Sequence, residues 1–200
     1  AGFALGLMGL VYYSEWMKKQ SRRRASPLVG PGAAAIDEFK RRGWVEGMTD
    51  GQRLALLIAV GIGVHNFGEG LAIGQAAATG AASLAVTLIV GFALHNATEG
   101  FGICGPMSGE GTRPTWGFLA LLGLIGGAPT FVGTVLGQAW TSEAVTVAFF
   151  AIAAGSILYV VQELFNANRK YGHTVLVTWL ILAGLVLGFA TDFVVSASGI

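Results

Sequence analysis

Long apolar segments constrain the fold of this chain more than any other feature of its sequence. Five of them lie at about 54–77, 82–106, 115–138, 144–166 and 173–197, and a further apolar stretch covers residues 1–17. A helix needs about 20 residues to cross the hydrocarbon core of a bilayer, and backbone in lipid must satisfy its own hydrogen bonds. The sequence therefore predicts an all-α polytopic membrane protein with six transmembrane helices, the first of which looks truncated.

The composition agrees with this class and excludes several others. The chain is 54% hydrophobic, has a mean hydropathy of +0.65 and is only 12% charged, about half the charged fraction of a soluble domain. Its 31 glycines indicate closely packed transmembrane helices. The net charge of +1 gives no indication of a nucleic-acid partner, and the single cysteine, Cys104, excludes an internal disulfide and a thiolate zinc cage.

Lysine and arginine are distributed so unevenly that they predict an orientation. Nine of the 12 lie within residues 18–53, where an Ala-rich run at 33–42 is long enough for a short helix. The remaining three lie in the predicted loops 107–114 and 167–172, whereas the loops 78–81 and 139–143 contain none. Because cationic loops stay in the cytoplasm, we expect residues 18–53 to be cytoplasmic and the C-terminus to be non-cytoplasmic, in a cell membrane.

One six-residue pattern occurs twice inside the apolar segments. The first copy is His65-Asn66-Phe67-Gly68-Glu69-Gly70 and the second is His95-Asn96-Ala97-Thr98-Glu99-Gly100. Each copy places histidine and glutamate at i and i+4, which is one face of a helix. Ionisable groups inside a membrane are costly and usually functional, so this repeat indicates a site rather than packing.

Two consecutive helices with a short connection pack antiparallel, so the copies oppose each other. Glu69 should lie level with His95, and His65 level with Glu99. Imidazole and carboxylate together favour zinc and its first-row neighbours, and asparagine can add an amide oxygen or orient a histidine. The candidate metal ligands are His65, Asn66, Glu69, His95, Asn96 and Glu99. Glu163, near the cytoplasmic end of its helix, is a candidate for ion exit.

These observations divide the chain into four parts. We expect a transmembrane helix at 1–17, a basic cytoplasmic loop at 18–53, a two-helix metal-binding hairpin at 54–106, and three further transmembrane helices within 107–200. The expected function is transmembrane transport of a divalent metal, with the metal as bound substrate and no cofactor, and without enzymatic activity. Three alternatives stay open: an intramembrane metal-dependent hydrolase, although the zincin pattern HExxH is absent, a proton-coupled carrier of another solute, and a purely structural membrane subunit.

The double HNxxEG pattern on adjacent helices resembles the Zrt-/Irt-like (ZIP) divalent-metal transporters. The run from Tyr159 to Phe165 is similar to the seventh helix of that family. The resemblance implies that the six segments are helices three to eight of an eight-helix fold, without the first two. It also implies uptake of zinc, iron, manganese or cadmium toward the cytosol, by alternating access of a moving helix bundle against a scaffold.

The sequence departs from the family pattern at three positions. The family often has proline before each motif glutamate, where this chain has Gly68 and Thr98, and often has glutamate before a proline on the next helix, where this chain has Ala128. The change at Ala128 favours one metal site over a pair. The expected partners are divalent metal ions and the lipid bilayer, with no nucleic acid, and a homodimer is a candidate assembly.

Overall fold

Six long helices make up the fold in the computed structural model, which describes residues 1–24, 47–111, 113–169 and 172–197. They are α1 (Gly2–Arg24), α2 (Asp50–Ala78), α3 (Ala82–Cys104), α4 (Trp116–Ala139), α5 (Glu143–Arg169) and α6 (Thr174–Ala197). A 3-10 turn, Gly105–Met107, continues α3. No strand occurs in the described ranges, so the all-α prediction is confirmed there, while the helix expected at 33–42 lies outside them.

Four of these helices are long and apolar enough to cross a membrane, judged on the described residues. They are α2, α3 with its 3-10 turn, α4 and α5. In α6 the apolar stretch is shorter and covers Thr174–Ala190. Large apolar side chains cover the outward faces, and Phe101, Trp116 and Phe131 are each more than 70% exposed. Such faces are unusual in contact with water and suit contact with lipid. Crossings by α1 and α6 stay predictions.

Local sequence explains where the helices begin. Thr49 caps α2: its hydroxyl accepts from the Gln52 backbone N–H at 3.2 Å, and the Gln52 side chain accepts from the Thr49 N–H at 3.0 Å, which is a capping box. Thr115 caps α4 by accepting from the Phe118 N–H at 3.2 Å. Between α2 and α3, Gly80 has φ +78°, a conformation that glycine adopts without strain.

Glycines bring the backbones of α2 and α4 together. A Cβ at Gly70 would collide with the carbonyl oxygen of Thr130, and one at Gly74 would collide with that of Thr134. From the other side, a Cβ at Gly133 would collide with the carbonyl oxygen of Phe67. Residue numbers rise together along both helices, so they run parallel, and the close approach leaves no room for a side chain.

A second glycine contact joins α1 to α5. A Cβ at Gly6 would collide with the carbonyl oxygen of Ile152, and one at Gly155 with that of Phe3. Between these two helix pairs, α2 meets α5 through side chains: Gly61 faces a Val160 methyl group and Gly68 faces the Ala153 Cβ. The fold therefore contains two backbone-locked pairs, α2 with α4 and α1 with α5.

Candidate metal site

The two motif copies face each other across the α2–α3 pair. The connection 79–81 is short, and its Ala81 N–H donates to the Ala76 carbonyl at 3.0 Å, so α3 returns antiparallel along α2. Each motif is helical throughout. The two copies therefore lie opposite each other, and Glu69 approaches His95 as the antiparallel arrangement predicts.

Three ligand atoms converge at the centre of this pair. His65, Glu69 and His95 each offer one atom, and these atoms lie within 4.8 Å of one another. Glu69 Oε1 lies 3.5 Å from His65 Nε2 and 3.9 Å from His95 Nε2. Glu69 is thus the shared member, since it contacts the histidine of its own helix and that of the neighbouring helix.

These separations suit a small divalent ion. Two ligands of a tetrahedral Zn²⁺, each about 2.1 Å from the ion, lie roughly 3.4 Å apart. The His65–Glu69 distance of 3.5 Å already matches that value, and the His95–Glu69 distance exceeds it by only a few tenths of an ångström. Two imidazoles and one carboxylate also form a donor set that zinc and its neighbours prefer.

Glu99 lies beside this group of three and is held by different neighbours. Its Oε1 is 3.5 Å from His95 Nε2, and its Oε2 accepts from the Asn66 amide nitrogen at 3.0 Å. The sequence predicted that Glu99 would lie level with His65. The contact across the pair is made instead by the next residue along α2, Asn66.

Asn66 connects the site to α4 and is almost fully buried, with 1% exposure. Its amide nitrogen donates both to Glu99 and to the Gly126 carbonyl, each at 3.0 Å. Gly126 lies one turn before Pro129, the proline inside α4, where the regular helical hydrogen-bond pattern is interrupted. The Asn66 Oδ1 atom and His65 Nδ1 have no hydrogen-bond partner among the residues that the structure describes.

Asn96 plays a comparable part on α3. Oriented with its nitrogen toward acceptors, its amide donates to Glu69 Oε2 at 3.2 Å and to Glu99 Oε2 at 3.3 Å. Both motif asparagines therefore offer N–H groups to the carboxylates in this arrangement. Holding a carboxylate by a neighbouring donor fixes its orientation toward an ion.

The site is closed toward α2 and open toward α3. The side chains of Glu69 and Glu99 are 6% and 11% exposed, whereas His95 is 54% exposed. Among its described residues, α3 buries only Ala85 and Ile103. The carboxylates are therefore enclosed by the helices, and His95 is the least covered of the three clustered ligands.

Two of the three departures from the family pattern have visible local consequences. The Thr98 hydroxyl donates to the His95 carbonyl at 2.6 Å, a back-bond that bends helices slightly. Ala128 supplies no carboxylate next to Pro129. What α4 contributes is the Gly126 carbonyl, which accepts from Asn66. This role was not predicted, because no local sequence signal identifies it.

Glu163 lies apart from this cluster, at the cytoplasmic end assigned by the charge pattern. It lines a cavity of about 390 Å³ between α1, α2 and α5. The other polar residues around this cavity are Ser14, Lys18, Asp50 and Arg53. Positively and negatively charged side chains thus line one cavity at the beginning of α2.

Comparison with known proteins gives one match. A family model described as ZIP Zinc transporter matches residues 34–196, which is most of the chain and includes both motif copies. Comparisons with curated proteins and with solved structures gave no match. The match agrees with the apolar helices and with the cluster of His65, Glu69 and His95 between α2 and α3. The chain belongs to the ZIP zinc transporter family and is an integral membrane protein of a metal-transporting family.

Proposed function

We propose that this chain carries divalent transition-metal ions, with zinc foremost, across the membrane toward the cytoplasm. The observation that supports the proposal best is the convergence of His65, Glu69 and His95 within 4.8 Å between two long apolar helices. Iron, manganese and cadmium are further candidate substrates, because the same donor types bind them.

The proposed ligand roles follow from the contacts. His65, Glu69 and His95 form the primary ligands, and Glu99, with its Oε1 3.5 Å from His95 Nε2, is the nearby second carboxylate. Asn66 and Asn96 belong to the site by holding the two carboxylates through their amide nitrogens. Two carboxylates against one divalent ion balance the charge, which lowers the cost of holding the ion inside a membrane.

The number of ligands suits a substrate rather than a structural ion. Structural zinc sites are closed by four protein ligands, whereas sites that exchange a ligand keep a position open. A transported ion must bind well enough to enter and weakly enough to leave. The exposed side of His95 provides the open position, and Ala128 removes the carboxylate that would support a second metal.

We propose that alternating access uses the two backbone-locked pairs of helices. The pair α2 and α4 carries two of the three primary ligands, and the pair α1 and α5 lies against it. Backbones in such close contact move as one body, whereas the α2–α5 contact is made by side chains that can slide. We propose that the first pair, together with α3, moves against the second and exposes the site to one side at a time.

Glu163 is proposed as a residue of the cytoplasmic exit. Its cavity of about 390 Å³ is large enough to hold several waters, so an ion leaving the site can regain part of its hydration there. Lys18 and Arg53 line the same cavity. Their charges weaken the hold of Glu163 and Asp50 on a cation, which favours release.

The decisive experiment measures Zn²⁺ uptake into proteoliposomes that contain the purified protein. We expect His65→Ala and Glu99→Ala each to lower the initial rate by about 10-fold or more, since losing a ligand or its support costs metal sites at least that factor. His173→Ala, which changes the exposed histidine before α6, is the control and should keep the rate. Wild-type uptake in both site variants would contradict the proposal, and hydrolysis of lipid or peptide by the wild-type protein would favour the hydrolase.

A further inference from the structure

Glu110 forms a contact that nothing in the double motif requires. It lies in the connection between α3 and α4, where its N–H donates to the Met107 carbonyl at 3.2 Å and the Ser108 N–H donates to the Gly105 carbonyl at 3.1 Å. These two consecutive turns direct the chain back toward the beginning of α2. The Glu110 carboxylate reaches residues that are about 60 positions earlier in the sequence.

The carboxylate binds the first turn of α2 through both oxygens. Glu110 Oε1 accepts from the Gly51 backbone N–H at 2.7 Å, and Oε2 accepts from the Thr49 hydroxyl. The first N–H groups of a helix have no partner within the helix, and its N-terminus carries partial positive charge. A carboxylate at this position satisfies a donor and complements the helix dipole at the same time.

The surroundings are shaped for this contact. A Cβ at Gly51 would lie 2.6 Å from Glu110 Oε1 and 2.6 Å from the Pro106 carbonyl oxygen, so only glycine leaves room for the carboxylate. Met48 and Met107, which precede Thr49 and follow Pro106, are both buried in the same apolar core cluster. Apolar packing on one side therefore supports the polar contact on the other.

We propose that Glu110 is a positioning residue for the metal site, because it fastens the cytoplasmic ends of the two ligand helices together. The beginning of α2 leads to His65 and Glu69, and the turn that follows α3 leads back to His95 and Glu99. The short connection 79–81 already closes the opposite end. With both ends closed, the axial register that brings Glu69 within 3.9 Å of His95 is fixed before the ion arrives. This inference rests on the proposed function for its effect on metal.

The test compares two substitutions that break one contact from opposite sides. Glu110→Gln removes the charge, and Gly51→Ala displaces the carboxylate while keeping it. In each variant we expect the Zn²⁺ dissociation constant of the purified protein to rise about 10-fold, since ligands bind only the fraction of molecules in register. Hydrogen exchange at residues 51–53 should accelerate by about 10-fold, the effect of losing one charge-assisted hydrogen bond.

Two matched controls distinguish loss of the Glu110–Gly51 contact from the effect of adding a methyl group or removing a charge at the beginning of another helix. Gly117→Ala adds the same methyl group in the first turn of α4, where it meets no atom within 4 Å. Glu143→Gln removes an exposed charge from the first turn of α5. Both controls should leave exchange at residues 51–53 and the dissociation constant unchanged. The double variant Gly51→Ala with Glu110→Gln should bind no more weakly than either single variant, because a contact can be lost only once.

Different results would overturn the positioning role of Glu110 and the proposed function. Faster exchange with an unchanged dissociation constant in both single variants would overturn the positioning role, and so would effects that add fully in the double variant. A wild-type protein that binds no Zn²⁺ would instead overturn the proposed function. Exchange alone then decides the fastening contact: faster exchange in both variants supports it, and unchanged exchange overturns it.

Discussion

Asn66 is the residue that most changes the interpretation of the motif. Its amide nitrogen binds Glu99 and the Gly126 carbonyl, each at 3.0 Å, from a fully buried position. One side chain therefore links both ligand helices to the proline-containing helix α4. The second residue of each motif copy acts on the carboxylates through its N–H groups, which explains why an amide is suited to this position better than a carboxylate.

We predict that Asn66→Leu, which keeps the volume and removes the donors, destabilises the protein by about 1–3 kcal/mol, the cost of leaving buried polar groups unsatisfied. The Gly126 carbonyl would lose its side-chain donor, and Glu99 would lose one of two. Chemical unfolding in detergent micelles measures the change. Asn168→Leu, at an exposed position on α5, should change stability by less than about 0.5 kcal/mol. Equal stabilities of the two variants would contradict the prediction.

The proximity of Glu69 to His65 and His95 could be predicted from sequence, because the i, i+4 spacing inside two consecutive apolar segments is itself the signal, whereas the predicted opposition of Glu99 and His65 was not found. The role of Asn66 could not be predicted, because its partner Gly126 lies 60 residues away and nothing local identifies it. The contact of Glu110 with Gly51 is of the same kind, at a separation of 59 residues. The spacing of residues in a motif predicts contacts within one helix but does not identify partners on another helix.

At the scale of elements, the helix boundaries were predictable and the helix pairing was not. The predicted segments 82–106 and 115–138 correspond to α3 with its 3-10 turn and to α4 within a few residues, because length and hydropathy determine a membrane span. An amphipathic stripe tells which face of a helix is buried. Helices that are apolar on all sides lack that stripe, so the parallel pairing of α2 with α4 followed only from the close approach of their glycines.

We predict that Gly70→Ala destabilises the protein by about 1–3 kcal/mol, since an added methyl group in a filled contact forces the backbones apart. The added Cβ would collide with the Thr130 carbonyl oxygen. Gly91→Ala, on α3 with nothing within 4 Å of its Cβ position, is the matched control and should be neutral or more stable by up to about 1 kcal/mol. Thermal unfolding in detergent distinguishes the two. A neutral Gly70→Ala would argue against the tight α2–α4 contact.

At the scale of the whole molecule, the charge pattern predicts that the connection 140–142 faces the outside and the connection before α4 faces the cytoplasm. In a Cys104→Ser background, we expect Thr141→Cys to react with an impermeant maleimide in intact cells. Thr115→Cys should react only after the membrane is permeabilised. Both positions are exposed in the structure, so a difference in labelling cannot come from burial of one cysteine. The reverse labelling would show that the orientation is inverted.

The two motif copies run in opposite directions on α2 and α3. An ion that arrives from either side meets one histidine and one glutamate, because α2 presents His65 before Glu69 while α3 presents them in the opposite order. We expect the direction of transport to follow the metal gradient and the membrane potential. A divalent ion carried alone gains roughly 4.6 kcal/mol per 100 mV, twice the value for a single charge, which favours accumulation in a negatively charged interior by about 2,000-fold.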